Sequence, residues 1–346
     1  MPDPIEQAVA RLRSGGLVAF PTETVYGLGA DALNEAAVRR VFEAKGRPAT
    51  NPLIVHVTGI EMAASLVQGP LPEAAAALMR RFWPGPLSII LPKHPRIAGA
   101  VTGGGPSVAL RAPDHPLAFA LLFAFGGPLV GPSANKSGGV SPTTAQHVRE
   151  EFDERTALVL DGGPTQMGIE STVVSLFDTG AAEGATILRP GIIGAEQLEA
   201  VLNMPVGYGP GVAPLGMGGG AMPSPGMLAS HYAPRAIAVL FDDWADIDQL
   251  AADLPPAATL AVLSHSLLAE DAGLPANARL FRLPPAAADY AAALYRTLRR
   301  ADAPGTATIA VHRPPLPQHS DSNEAAAVWR AVHDRLARAT ARRGEG

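Results

Sequence analysis

The chain opens with apolar residues at helical spacing. Ile5, Val9 and Leu12 share one face and Gly15-Gly16 ends the run, which predicts a helix over 4–14. Leu17-Val18-Ala19-Phe20 is a continuous apolar block stopped by Pro21, the mark of a short buried strand. Asn34 has the chemistry of a helix cap, Val38, Val41 and Phe42 recur inward behind it, and Gly46 follows Lys45. A helix is therefore expected from the cap through Lys45. The pattern continues with a strand over 53–57, helices near 60–67 and 73–82, strands over 87–91 and 107–111, a helix near 115–125 and a strand over 128–131. A helix over 143–151, strands near 157–161, 171–177 and 185–189, and a helix over 194–202 complete this part. Irregularly spaced strands among helices predict an α/β domain with a mixed sheet, not a regular βαβ repeat.

Residues 205–234 break the periodicity with closely spaced Pro and Gly, including Gly218-Gly219-Gly220. So long a stretch without pattern inside one compact domain is unusual, which places a linker there. The expected division is a domain over 1–204, a linker over 205–234 and a second domain over 235–346. The second domain alternates strand 236–241, helix 245–254, strands 259–263 and 280–283, helix 286–302, strand 306–311 and helix 323–339. That order predicts a smaller doubly wound α/β layer. No glycine fingerprint follows its first strand, so a dinucleotide site is not supported there.

A length of 346 residues also suggests two domains, and 47% hydrophobic with 17% charged residues is enough to bury a sizeable core. The net charge of −5 argues against general adhesion to a nucleic-acid backbone or an anionic membrane. There is no cysteine, which removes disulfides, thiolate catalysis and cysteine-ligated zinc from consideration. The acidic, amphipathic first residues and the lack of a spanning apolar run make a cytoplasmic, membrane-free location the expectation. Only Lys45, Lys93 and Lys136 are lysines among 27 basic residues, a hint that some are retained as compact point charges.

Candidate chemistry gathers at predicted element ends. Thr22, Thr24 and Tyr26 follow a strand end, where ligand crevices commonly form, although a hydroxyl-rich turn bonding its own backbone is the plainer reading. Lys45 and Arg47 flank a glycine just past a helix and suit phosphate or carboxylate, or simply the helix dipole. Asn51 and His56 border the next strand. Ser107 and Arg111 share a strand face, and an inward Arg needs an anion, either a ligand or an internal carboxylate. Gly131 through Gly139 is a small-residue loop able to approach phosphate, without Walker spacing. Glu170, Ser171, Thr172 and Arg189 sit at later strand edges, and Glu23, Glu170 and Asp161 are candidate Mg²⁺ ligands by way of nucleotide phosphates. His231 and Tyr232 end the linker and are able to reach back over a ligand. These residues point to a cationic, hydroxyl-rich cleft for a small anionic ligand, with a nucleotide as the expectation.

Taken in order, Phe20–Gly29, Lys45-Gly46-Arg47-Pro48, Asn51–Val57, Ser107–Arg111, Pro132-Ser133-Ala134-Asn135, Glu170-Ser171-Thr172-Val173 and Arg189-Pro190-Gly191 resemble the Sua5/YciO/YrdC family. The resemblance spans roughly residues 5–203, and the His-Tyr-Ala-Pro linker end with the α/β tail is similar to its two-domain Sua5 form. It implies a twisted sheet with a concave face followed by a Rossmann-like domain. It also implies a nucleotidyltransferase that turns L-threonine, bicarbonate or CO2, and ATP with Mg²⁺ into L-threonylcarbamoyl-AMP and pyrophosphate. Other proteins, with tRNA as a transient partner, use that product to make N6-threonylcarbamoyladenosine in tRNA. Carried over, Thr24, His56, Arg111, Gly131 and Ser171 fall on the threonine side. Arg47, Asn51, Ser107, Ser133, Asn135, Ser141, Arg189, His231 and Tyr232 fall on the ATP side, and Lys45 with Arg47 neutralises charge in catalysis. The competing readings are a double-stranded-RNA-binding module and a carbamoyl-adenylate enzyme of hydrogenase maturation, the latter disfavoured by the lack of cysteines for zinc fingers.

Overall fold

A computed structural model of the chain describes residues 3–176, 184–209, 231–265, 273–318 and 320–341. Asp3 caps the first helix, α1 (Pro4–Arg13), whose buried Ala8, Val9 and Leu12 lie against α5 (Pro116–Phe125). β1 (Leu17–Phe20) runs antiparallel to β2 (Gly27–Asp31), so residues 21–26 become the loop of a hairpin. Asn34 caps α2 (Glu35–Lys45) through its side chain, and Gly46 ends it in the left-handed region at φ 62°. Then follow β3 (Ile54–His56), α3 (Ile60–Ala64), α4 (Glu73–Phe82), β4 (Leu87–Pro92) and β5 (Ser107–Arg111). β6 (Leu129–Val130), α6 (Ala145–Arg149), β7 (Ala157–Val159), β8 (Thr172–Ser175), β9 (Ala185–Arg189), α7 (Ala195–Leu202) and β10 (Val206–Tyr208) complete the first domain.

These strands form one mixed ten-stranded sheet in the order β10-β9-β8-β4-β5-β3-β6-β2-β1-β7. β3 and β5 are parallel in a register that sets His56 beside Arg111, and β6 runs antiparallel on the other side of β3. The carboxyl ends of β3 and β5 therefore meet at one place. The main core, built on α2, α4 and the central strands, holds that place rigid.

The structure differs from the sequence pattern at two strands. No strand is predicted over Gly27–Asp31, yet it is β2; its run of small residues has no strand propensity of its own. Residues 206–208 fall in the expected linker, yet they form β10, parallel to β9 at the sheet edge. The stretch 210–230 lies outside the described residues, and with it the Ser224–Ser230 part of the linker end.

The second domain carries β11 (Ile237–Phe241), α8 (Ala245–Ala252), β12 (Thr259–Ser264), β13 (Ala278–Arg282), α9 (Ala287–Ala301), β14 (Thr306–His312) and α10 (Asn323–Thr340). Its four strands are all parallel, in the order β11-β14-β12-β13. The core between this sheet and helices α9 and α10 also includes Val25, Val140 and Ile169 of the first domain. The contact is close: a Cβ on Gly168 would stand 2.6 Å from the Ala291 carbonyl oxygen on α9. Among the described residues no helix is long and apolar enough to cross a membrane.

Candidate active site

The hairpin loop between β1 and β2 folds on its own hydroxyls. Thr22 Oγ1 donates to the Val25 carbonyl at 2.7 Å, receives the Val25 amide at 3.2 Å and pairs with Thr24 Oγ1 at 2.8 Å. The local turn is therefore present, and Thr24 Oγ1 also accepts from Arg111 Nη2 at 2.9 Å. Arg111 stands at the end of β5 with a 2.7 Å ion pair to Glu23, both buried, and donates to the Gly85 carbonyl. Of the two anions expected for it, the internal one is present, and sequence reasoning had not joined it to Glu23. Beside them His56 is sandwiched under Phe20 and against Gly131, whose carbonyl lies 3.3 Å from Nε2. A Cβ at residue 131 would sit 2.4 Å from the imidazole, so only glycine fits. Burial, then the charge of Arg111, pushes the His56 pKa down to about 3, which leaves a neutral ring with a buried Nδ1 that has no protein partner.

The cationic side is built from the C-terminus of α2. Lys45 Nζ donates to the Ser133 and Asn135 carbonyls, both at 2.5 Å. Arg47 donates to the Asn51 and Pro52 carbonyls and, at 2.6 Å, to Asn51 Oδ1. Arg189, at the end of β9, donates to the Ser171 carbonyl and to Ser171 Oγ, both at 3.0 Å, and that hydroxyl pairs with Ser88 at 2.9 Å. All three cations are buried, and among the described residues none makes an ion pair with a carboxylate. Their charge is therefore uncompensated: burial, then Arg47, holds the Lys45 pKa well below the usual lysine value, and burial lowers Arg47 to about 10. An interior that collects cations in this way calls for an anion.

His231 and Tyr232 close the group from above. The Ala233 amide is held by the Gly138 carbonyl at 2.9 Å, and the His231 amide faces the Arg338 carbonyl at 3.3 Å. Burial, then the charges of Arg47, Lys45, Arg189 and Arg338, keeps His231 neutral. His231 Nδ1 and Tyr232 Oη are buried without protein partners, as are Asn51 Nδ2 and Asn135 Oδ1. Five such atoms on residues singled out from sequence, counting His56, is far more than a self-sufficient core tolerates.

Ser133 gives its carbonyl to Lys45, and Ser141 donates to Glu170 at 2.5 Å, so each is fixed in the group through one atom. Ser107 is at the far end of β5 from Arg111, roughly 13 Å along the strand. Among the described residues no side-chain hydrogen bond joins it to the others.

The carboxylates considered for Mg²⁺ are each engaged by protein groups. Glu23 is taken by Arg111 and the Asp114 amide. Glu170 is taken by Ser141, Tyr295 and Arg335. Asp161 pairs with Arg149 and the Gly163 amide at the surface. Among the described residues there is no group of three or more His, Asp or Glu side chains suited to a metal ion. Sequence reasoning also missed Tyr295 and Arg335. The available signal was Arg335 itself, which falls on the same helical face as Val328, Val332 and Leu336 and so had to be buried.

Comparison with known proteins agrees with this geometry. Residues 10–191 match the family model described as "Telomere recombination" (Sua5_yciO_yrdC), and residues 193–341 match the model described as "Threonylcarbamoyl-AMP synthase, C-terminal domain". The chain is 51% identical over 238 residues to a threonylcarbamoyl-AMP synthase of Bacillus subtilis, an alignment covering 67% of this chain and 65% of that protein. It is 44% identical over 242 residues to the enzyme of that name from Pyrococcus abyssi, covering 69% and 68%. The crystal structure of P. abyssi Sua5 complexed with L-threonine superimposes with a TM-score of 0.82 at 36% identity, covering 98% of this chain and 96% of that one. With both domains matched in order and the cleft assembled from the motifs that carry the likeness, the chain belongs to the Sua5/YciO/YrdC family, in its two-domain Sua5 form.

Proposed function

We propose that this protein makes L-threonylcarbamoyl-AMP and pyrophosphate from L-threonine, bicarbonate or CO2, and ATP, as a nucleotidyltransferase that supplies tRNA modification. The observation that carries the reading is the trio Lys45, Arg47 and Arg189, buried together and, among the described residues, in ion pairs with no carboxylate. A triphosphate supplies the missing charge. Thr24, His56, Arg111, Gly131 and Ser171 form the threonine side, and Asn51, Ser133, Asn135, Ser141, His231 and Tyr232 line the nucleotide side. Ser107 would touch only a distal part of the nucleotide. Mg²⁺ enters with ATP, held by phosphate oxygens and water, since the nearby carboxylates are already engaged; bound there, it would offset phosphate charge.

The neutral threonine amine attacks the carbon of CO2 and gives up a proton to solvent, forming a carbamate. A carbamate oxygen then attacks the α-phosphorus and the bond to pyrophosphate breaks. No side chain becomes acylated or phosphorylated. His56 packs beside the amino acid as a neutral ring, adding a polar atom without adding charge. Lys45 and Arg47 are fixed in place by carbonyls before the ligand arrives, so they meet developing charge without reorganising. Incubation with ATP, Mg²⁺, bicarbonate and labelled threonine tests the proposal. The expected result is a labelled, alkali-labile adenylate with pyrophosphate released in step; pyrophosphate release that ignores threonine and bicarbonate would end it.

A further inference from the structure

At the boundary between the domains lies a second group of buried charges. Glu170, in the first domain, accepts at one carboxylate oxygen from Ser141 at 2.5 Å. At the other it accepts from Tyr295 Oη on α9 at 2.9 Å and from Arg335 Nε on α10 at 3.1 Å. Arg335 is 1% exposed; it also donates to the Pro190 carbonyl at 2.6 Å, next to Arg189. Asp334 binds Arg335 and Arg338. Two carboxylates and two guanidinium groups thus balance inside this group.

Glu170 is also within electrostatic reach of Arg189, each lowering or raising the other's proton affinity as opposite charges do. Yet Arg189 makes no ion pair with it and turns to Ser171 instead. Without Arg335, Glu170 would be a buried carboxylate whose other cationic neighbour is Arg189, held on the adjacent Ser171. A buried, unpaired charge is costly, so Arg189 would be drawn to it and lost to the cleft.

We propose that Arg335 and Tyr295 of the second domain are positioning residues for nucleotide binding: by satisfying Glu170 they keep Arg189 uncompensated and directed at phosphate. The inference rests on the function proposed above only in taking ATP as the ligand. It gives the second domain a defined part in the site, acting through Glu170 and not by touching substrate.

The test is a double-mutant cycle read by ATP binding in calorimetry, without threonine, on the full-length protein. Arg335→Met is expected to weaken ATP binding about tenfold or more, and Arg335→Met combined with Glu170→Gln to restore it to within about threefold of the parent. Arg335→Lys should recover part of the loss. A merely structural role predicts instead a loss of urea stability in Arg335→Met with the ATP affinity of the folded protein unchanged. If Arg335→Met does not fold, Tyr295→Phe with and without Glu170→Gln replaces it, with a smaller loss, about threefold, that vanishes in the pair. Parent-like ATP affinity in the folded single variants, or a double variant as weak as the single, overturns the inference. A parent protein that binds ATP but makes no adenylate would defeat the proposed function and leave this cycle readable.

Discussion

The cleft and the domain boundary each bury several charged side chains, and they treat charge in opposite ways. At the boundary Glu170, Asp334, Arg335 and Arg338 balance, and the Glu170 carboxylate oxygens both have donors. In the cleft Lys45, Arg47 and Arg189 rest on carbonyls and a hydroxyl, and five polar atoms of neighbouring residues have no partner. Burial alone does not mark a functional site. What marks it is unpartnered buried atoms gathered around uncompensated cations; scattered ones, such as Tyr290 Oη, also occur elsewhere. Arg111 lies between the two cases, in the cleft but already met by Glu23.

The sharpest way to break this contrast is to remove one uncompensated cation and one compensated cation. Lys45→Ala is expected to reduce threonine-dependent pyrophosphate release by about a hundredfold or more, in line with the loss of a preorganised charge, while its circular dichroism stays that of the parent. Wild-type-like turnover would take Lys45 out of the mechanism. Arg111→Met strands Glu23 in the interior and is expected to cost about 3–5 kcal/mol in urea unfolding; adding Glu23→Gln should return much of it. Equal stability of Arg111→Met and the parent would show that the pair is not an internal one.

A more gradual effect concerns pH. His56 is held neutral in the folded protein with a pKa near 3, whereas the unfolded chain takes up its proton near the ordinary value of 6.5. Below 6.5 the unfolded state therefore binds more protons, and stability falls as pH falls toward 3, by about 1.4 kcal/mol per pH unit from this group. Urea midpoints measured down that range should flatten in His56→Gln; an unchanged slope would contradict the buried, neutral ring. The smallest expected signal is proton uptake on ATP binding, since phosphate beside Lys45 and His231 raises pKa values that burial and neighbouring cations have lowered. Binding heats in two buffers of different ionisation enthalpy should differ by a fraction of a proton or more; identical heats would argue against a cationic phosphate site.

Much of this organisation was legible in the sequence where one local rule decides the outcome. Asn34 and Gly46 bracket α2 as capping chemistry requires, and Lys45 and Arg47 follow from that helix end. What escaped depends on partners remote in sequence. β2 exists because β1 and β6 flank it, not because Gly27–Asp31 favours a strand, and β10 exists because β9 offers it an edge. The anion for Arg111 is 88 residues away, and the side chains that satisfy Glu170 lie 125 and 165 residues downstream. Periodicity shows which positions are buried; it does not show which buried charges find one another.

The separation of 165 residues between Glu170 and Arg335 also orders events during synthesis. The ten strands of the large sheet leave the ribosome before α10 exists, so the growing chain passes through a period in which Glu170 has Ser141 but no cation from the second domain. On the inference drawn above, Arg189 would be the counterion at hand in that interval, and the cleft would be self-quenched. Docking of α10 would then release the arginine, so that competence to bind nucleotide arrives with the completion of the fold and not before it.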